Sequence, residues 1–138
     1  MKNSPPKLSI LVILSNESEI KKFNNFSKLF QKDCVKFRIY SNGIEAAEVF
    51  QDSLFGKNKF NLILIDLNSN FIDGLETAQI IRNIERSLFW NSTFLCGFVS
   101  KVTEEIISKC KTYEINQCIE EPLTKEKLEN IMVNLFPV

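Results

Sequence analysis

The chain has 138 residues, of which 44% are apolar and 25% charged, as expected for one globular domain. Lysine plus arginine equals aspartate plus glutamate at 17 each, so no net positive field exists to attract nucleic acid or an anionic membrane. The absence of histidine excludes a Ser-His-Asp or Cys-His catalytic site, a His-ligated metal and a phosphohistidine-bearing module. We therefore expect a cytoplasmic domain that is not an enzyme and binds neither nucleic acid nor membrane.

Apolar runs and helical spacings alternate along the chain, after a polar, proline-containing stretch. Continuous apolar runs indicate strands buried on both faces, whereas apolar residues three or four positions apart indicate helices. We expect residues 1–7 to form a flexible tail and residues 8–138 to form a single domain. The predicted elements, in chain order, are a strand at 8–14, a helix through 20–30, a strand at 35–40, a helix at 44–54, a strand at 62–66, a helix at 74–88, a strand at 94–99, a helix at 103–113, a strand at 117–120 and a helix at 124–136.

Five strand–helix units in strict alternation predict a doubly wound α/β fold, with a parallel sheet covered by helices on both faces. In such sheets, ligands bind beyond the carboxyl ends of the strands, near the point where the strand order reverses. The residues that end the strands are therefore the first candidates for a site. They are Ser15, Ser41, Asp66, Ser100 and Glu121.

The four cysteines form no C-x-x-C pair and lie in apolar or mixed runs. This pattern predicts free, mostly buried thiols in a reducing compartment, in preference to a zinc site or a disulfide framework. They are Cys34, Cys96, Cys110 and Cys118.

Asp66 ends a run of four aliphatic residues, and the pair Asp73-Gly74 opens the next predicted helix. This pattern resembles the signature around the phosphorylated aspartate of response-regulator receiver domains. The segments 41–47 and 118–123 are similar to that family's turn after the second strand and to the end of its fifth strand. The resemblance covers the chain from Leu8 to Phe136.

The resemblance implies a flavodoxin-like receiver fold, with five parallel strands in the order 2-1-3-4-5 and five flanking helices. It implies a place in phosphorelay, or two-component, signal transduction, with Asp66 as phosphoacceptor. The implied partner is a protein, such as a sensor histidine kinase or a phosphotransfer protein, and the implied cofactor is Mg²⁺.

The chain departs from the receiver pattern at most of the other functional positions. The acidic pair that holds Mg²⁺ is replaced by Leu14 and Ser15, and the lysine before the fifth-strand proline is replaced by Glu121. The hydroxyl position that senses the phosphoryl group falls on Val99 or Ser100, and the switch aromatic falls on Cys118. Asn70 stands where the family usually has a proline.

These departures predict a degenerate receiver. Asp66 and Asn68 alone would make a weak Mg²⁺ site, so no cofactor is expected. Glu121 beside Asp66 would repel both that carboxylate and an incoming phosphoryl group. The chain would then act through protein–protein interaction, with Asp66 as a remnant phosphoacceptor. The alternative is a functional receiver phosphorylated on Asp66, with an atypical metal site that includes Glu121.

A third alternative, a flavodoxin-like carrier, is disfavoured because the loop after the first strand contains no glycine that would let the backbone approach a phosphate.

Two tests follow from the sequence. Glu121→Lys should stabilise the fold at neutral pH, unless the register is displaced by one residue and Glu120 faces the site. Fluorescence of the sole tryptophan, Trp90, should report phosphorylation of Asp66.

Overall fold

A computed structural model describes residues 8–68 and 71–135, except for the side chains of residues 71–73. The predicted tail at 1–7, the departure at Asn70 and the end of the last helix at Phe136 lie outside the described residues. No described helix has the length and apolar character needed to cross a membrane. The elements are β1 Leu8–Ile13, α1 Glu17–Ser27, a short 3₁₀ turn Lys28–Phe30, β2 Val35–Tyr40, α2 Gly43–Leu54, β3 Leu62–Asp66, α3 Phe71–Ser87, β4 Phe94–Val99, α4 Glu104–Thr112, β5 Gln117–Glu120 and α5 Lys125–Leu135.

The sheet has five strands in the order β2-β1-β3-β4-β5, and every pairing is parallel. The predicted fold and strand order are therefore confirmed. The order reverses between β1 and β3, where Ile13 pairs with Ile65. This register brings the loop after β1 next to Asp66, at the carboxyl edge of the sheet.

Alternating side chains of the central strands build two cores, one on each face of the sheet. Odd-numbered residues of β1 and β3 pack under α2, α3 and α4, and even-numbered residues pack under α1 and α5. The second core includes four phenylalanines in edge-to-face contact: Phe23, Phe26, Phe30 and Phe37. Because both faces of the sheet are covered, Leu62–Ile65 reads as a continuous apolar run.

Several predicted boundaries differ from those observed, by one to three residues. Strand pairing of β1 ends at Ile13, one residue early, because the chain turns toward the Asn16 side chain that caps α1. The first helix ends at Ser27, and tighter 3₁₀ bonding then carries Phe30 into the core.

The third helix begins at Phe71, whereas Gly74 had been predicted as its start. Gly74 is needed for close packing and not for helix initiation. A Cβ at this position would lie 2.8 Å from Leu67 Cδ2 and 2.9 Å from the backbone oxygen of Asp66.

All four cysteines are free, but only two are buried. Cys96 and Cys110 lie in the core and Cys118 is half-buried. Cys34 is exposed because it belongs to the turn that precedes β2, so the prediction of burial was wrong for this residue.

Candidate functional site

Asp66 is the last residue of β3 and is only 4% exposed. Two donors hold its carboxylate. The Ser15 hydroxyl donates to Oδ2 over 2.6 Å, and the backbone N–H of Asn68 donates to Oδ1 over 2.9 Å. The structure thus places the predicted acceptor at the carboxyl edge of the sheet, in contact with a residue from the loop after β1.

Asn68 connects three loops at this edge. Its backbone contacts Asp66, its Nδ2 donates to Glu121 Oε1, and its Oδ1 accepts from the backbone N–H of Ser100. The loops after β3, β4 and β5 are therefore joined through one side-chain amide. From the sequence, Asn68 could be predicted only as a weak metal ligand, because a local pattern does not show which distant groups an amide will contact.

Glu121, and not Glu120, faces Asn68 and the acceptor loop. Glu120 instead accepts a hydrogen bond from the backbone N–H of Val102, 2.9 Å away, on the loop after β4. On α5, Lys127 donates to the backbone oxygens of Glu120 at 2.6 Å and Pro122 at 3.0 Å, one on each side of Glu121. The Glu121–Pro122 bond is cis. These contacts agree with the register assumed from the sequence.

The two positions of the missing acidic pair differ in environment. Leu14 is buried and packs in the core under α1 and α5. Ser15 is half-buried and supplies the hydroxyl that contacts Asp66. The first position is thus occupied by a core side chain, and the second by a neutral hydrogen-bond donor.

The two candidates for the sensing hydroxyl are also separated. Val99 is buried in the core under α2, α3 and α4, whereas Ser100 is exposed and its backbone amide contacts Asn68. Cys118, at the predicted switch position, is half-buried and packs against that same core. Ser100 therefore lies at the site edge, and Val99 does not.

Oxygen donors near Asp66 are few. Among the described residues, no group of three or more His, Cys, Asp or Glu side chains could hold a metal ion. Both side-chain ends of Asn68 are already hydrogen-bonded, and Leu14 offers no oxygen. Mg²⁺ requires nearly octahedral oxygen coordination, whereas the described residues that line the cleft include only two carboxylates, those of Asp66 and Glu76. The residues present do not fit a dedicated magnesium site.

A cleft of about 370 Å³ opens beside Asp66 at the point where the strand order reverses. Its walls include Ser15, Ser41 and Asn42 from the loops after β1 and β2, Gly43 at the start of α2, and Glu76 and Thr77 from α3. Ser15 and Ser41 could be predicted from their positions at strand ends. Glu76 and Thr77 could not, because they lie inside a helix and enter the cleft only through packing of α2 against α3.

Trp90 lies in the loop between α3 and β4. This loop is at the amino end of the parallel strands, opposite the edge that carries Asp66. Lys59 lies over the Trp90 ring, 5.1 Å from its centroid. Because Trp90 lies far from Asp66 along the sheet, mass spectrometry is the more direct readout of phosphorylation.

No family model matches the chain. The hybrid signal transduction histidine kinase K of Dictyostelium discoideum is 26% identical over 107 residues, which are 75% of this chain and 8% of that protein. The chain therefore corresponds to a small part of the length of that relative.

Solved structures resemble the chain over nearly its whole length. The receiver domain of Saccharomyces cerevisiae Ssk1, solved with the histidine phosphotransfer protein Ypd1, superposes with a TM-score of 0.76 at 17% identity and covers 96% of this chain and 91% of that chain. The receiver domain of Arabidopsis thaliana histidine kinase CKI1, complexed with Mg²⁺ and BeF₃⁻, gives 0.76 at 19% identity, covering 93% and 89%. The chemotaxis protein CheY4 of Vibrio cholerae gives 0.73 at 16% identity, covering 95% and 100%. At these identities, the likeness concerns the fold.

Proposed function

We propose that this chain, which has the receiver-domain fold of two-component signalling proteins, is a degenerate receiver that acts by binding a protein partner. Asp66 is the remnant of the phosphoacceptor. The module has no catalytic activity of its own, and it does not depend on a phosphorylation cycle.

One observation carries this proposal. Asn68 donates its amide N–H to Glu121 and its backbone N–H to Asp66, so a neutral amide links two carboxylate-bearing segments at the place where a cation would be needed. A neutral amide satisfies hydrogen bonds there, but it does not neutralise a third negative group.

Electrostatics oppose phosphorylation of Asp66. A phosphoryl group would bring additional negative charge next to Glu121. Two unit charges about 4 Å apart repel by about 4 kcal/mol at an effective dielectric constant of about 20. Among the described residues that line the cleft beside Asp66, none is a lysine or an arginine that could offset this repulsion.

The same residues make a magnesium requirement hard to meet. Leu14 is buried in the core, and Ser15 donates its hydroxyl to Asp66. Neither residue therefore supplies the negative charge of the acidic pair that it replaces. We propose that the chain needs no cofactor and that millimolar Mg²⁺ leaves it unbound.

The partner is proposed by analogy with one solved complex. The receiver domain of Ssk1, whose fold this chain shares, is seen with the histidine phosphotransfer protein Ypd1. A phosphotransfer protein or a sensor histidine kinase is accordingly the proposed class of partner for this chain.

The alternative, a functional receiver with an atypical metal site, is tested by phosphorylation with a small donor. Incubation with acetyl phosphate and Mg²⁺, followed by intact-protein mass spectrometry, is expected to leave the wild type unmodified. The double variant Ser15→Asp/Glu121→Lys restores one acid and the lysine at half-buried positions, and is expected to gain a phosphoryl group on Asp66.

The control is Asp66→Asn in both backgrounds, which should abolish any adduct. Circular dichroism establishes that each variant is folded. A magnesium-dependent phosphoryl adduct on wild-type protein that disappears in Asp66→Asn would overturn the proposal and establish the alternative.

A further inference from the structure

The cleft beside Asp66 carries negative charge that the described residues do not neutralise. Asp66 and Glu76 are the two carboxylates among its described lining residues, and none of those residues is a lysine or an arginine. Glu45 adds a third carboxylate in the first turn of α2, next to the lining residue Ile44. The ion pairs between described residues involve none of these three acids. The cleft therefore attracts positive charge.

Asp66 has the capacity to accept further hydrogen bonds. An ionised carboxylate offers about four acceptor positions. The Ser15 hydroxyl uses one of them, over 2.6 Å, and the backbone N–H of Asn68 uses another, over 2.9 Å. Asp66 is only 4% exposed but lines the cleft, so a donor from another molecule reaches it through the cleft.

An anion is disfavoured in this cleft, although the N-terminus of α2 forms part of its wall. Helix N-termini favour anions through their free backbone N–H groups. Here the N–H groups of Ile44 and Glu45 already donate to the Asn42 side chain, over 2.9 and 3.1 Å. The Glu45 carboxylate in the same turn would repel a negative group. A cation is therefore the ligand that the electrostatics favour.

The size and the rim of the cleft indicate what kind of cation would fit. Its volume of about 370 Å³ corresponds to on the order of ten water molecules, far more than a bare metal ion fills. Ile44 and Ile80 line it with side chains that are 66% and 40% exposed. A fitting ligand thus combines a cationic end with an aliphatic stem, as lysine and arginine side chains do.

Arginine suits the cleft better than lysine. Its guanidinium is planar and presents several N–H donors in a fixed fork, which matches the geometry of a carboxylate. It is also more weakly hydrated than an ammonium group, so it loses less on leaving water for a partly enclosed site. Both properties favour contact with a carboxylate as deeply placed as that of Asp66.

We propose that the cleft receives an arginine side chain of the protein partner, an inference that rests on the proposed function. The guanidinium binds Asp66 and Glu76, and the aliphatic stem packs between Ile44 and Ile80. The partner thus supplies the positive charge that the described lining residues do not provide. The negative charge that repels a phosphoryl group at Asp66 attracts a guanidinium for the same reason, since charges of opposite sign lower the energy of the pair.

The test is a titration of ¹⁵N-labelled wild-type protein by nuclear magnetic resonance, without magnesium or a phosphoryl donor. The probes are a blocked Ala-Arg-Ala tripeptide and the same peptide with citrulline, which has the shape of arginine but no charge. We expect the arginine peptide to cause saturable shifts of the cleft amides at 41–44, 66 and 74–77. The citrulline peptide should bind about tenfold more weakly, because charge-assisted hydrogen bonds are lost.

Matched variants test the two carboxylates separately. Glu76 is exposed, so Glu76→Gln leaves the fold intact and should weaken binding of the arginine peptide about threefold. Asp66→Asn keeps an acceptor oxygen for Ser15 and Asn68 and should weaken binding about tenfold. The control is Asp52→Asn, an exposed acid at the opposite end of α2, which should bind the peptide as the wild type does.

Several results would overturn the proposal. They are the absence of saturable shifts, equal binding of the arginine and citrulline peptides, and shifts centred away from the cleft. Spermidine that shifts the same amides at lower concentration than the arginine peptide would also overturn it, because the ligand would then be a free polyamine. Acetyl phosphate tests the proposed function separately. A wild type that stays unmodified by acetyl phosphate but fails to bind the arginine peptide would remove this inference alone.

Discussion

At the residue scale, the carboxylates of the site are held by hydrogen bonds from neutral donors and not by ion pairs. Asp66 receives a hydroxyl and a backbone N–H, and Glu121 receives an amide N–H. Each carboxylate is thereby satisfied without a cation. The described donors to Asp66 and Glu121 are all neutral, so they supply no positive charge to favour the addition of a phosphoryl group.

Charge reversal at Glu121 should stabilise the protein. Glu121→Lys places a cation beside the acceptor loop and leaves only the exposed Asn68 amide to be hydrated, so we expect a gain of about 1 kcal/mol in the free energy of unfolding. Glu121→Gln should change it by less, because its amide oxygen still accepts from Asn68. Urea denaturation at neutral pH gives the free energy of unfolding of the wild type and of both variants.

The matched control is Glu120→Lys, which loses the acceptor for the Val102 N–H and gains nothing at Asp66. A stabilised Glu120→Lys together with an unchanged Glu121→Lys would contradict the assigned orientation of these side chains.

At the element scale, α3 and α4 end in the same way. In each, a residue with positive φ follows the helix, and two backbone N–H groups reach back to the last turn: Phe89 (φ 54°) and Trp90 after α3, and Glu114 (φ 59°) and Ile115 after α4. This is the Schellman arrangement, in which glycine usually occupies the left-handed position. Neither position could be recognised in the sequence, because neither holds a glycine.

Replacing Phe89 by glycine should therefore stabilise the protein. A left-handed conformation costs a residue with a side chain roughly 1–2 kcal/mol, and glycine avoids this cost. Glycine also raises the conformational entropy of the unfolded chain, which offsets part of the gain. Phe89 is 97% exposed, so its ring contributes no packing that would be lost. We expect a net gain of about 1 kcal/mol in thermal or urea unfolding.

Phe89→Ala is the control, because it removes the ring but keeps the Cβ, and it should leave stability nearly unchanged. If alanine and glycine have equal effects, the strain at this position is not the cause.

The start of α3 is set by packing against the acceptor loop. Gly74→Ala places a Cβ within 2.9 Å of the Asp66 carbonyl and should destabilise the fold by roughly 1–3 kcal/mol, as overpacked sites do. Gly56→Ala is the matched control, since a Cβ there would meet only the Ser53 carbonyl oxygen, at 3.8 Å. Equal unfolding midpoints for the two variants would show that the loop adjusts freely around Gly74.

At the scale of the whole molecule, the carboxyl and amino edges of the parallel sheet carry different groups. Asp66, Asn68 and Glu121 meet at the carboxyl edge, whereas Trp90 lies at the amino edge. The two cores lie between these edges, on opposite faces of the sheet. Any effect of ligand at Asp66 must therefore be measured on the whole fold or at the site itself.

Mg²⁺ should leave the stability of the whole domain unchanged. A ligand that binds only the folded state raises its stability by RT ln(1 + [L]/Kd), so a bound ion would appear as a higher melting temperature. We expect equal melting temperatures for the wild type with and without millimolar MgCl₂ at constant ionic strength. The Asp66→Asn variant should respond in the same way, and a magnesium-dependent increase confined to the wild type would contradict the absence of a metal site.

The sequence by itself determined the fold and the edge of the sheet at which a site is expected. Periodicity located every strand and helix, because burial on two faces produces apolar runs and burial on one face produces helical spacing. The strand ends then marked Ser15, Ser41, Asp66, Ser100 and Glu121, since parallel strands bring their carboxyl ends to one edge. The resemblance around Asp66 supplied the strand order, and the structure agrees with it.

Only the tertiary structure decided which of these groups touch. The hydrogen bonds of Asn68 with Ser100 and Glu121 join side chains and backbone from different loops. The ion pair of Arg82 with Glu85 depends on the nearly complete burial of both side chains. A sequence pattern reports burial along one element, because that is a local property of period and polarity. Contacts between polar groups depend on the direction of each side chain after the elements have packed, and no local period carries that information.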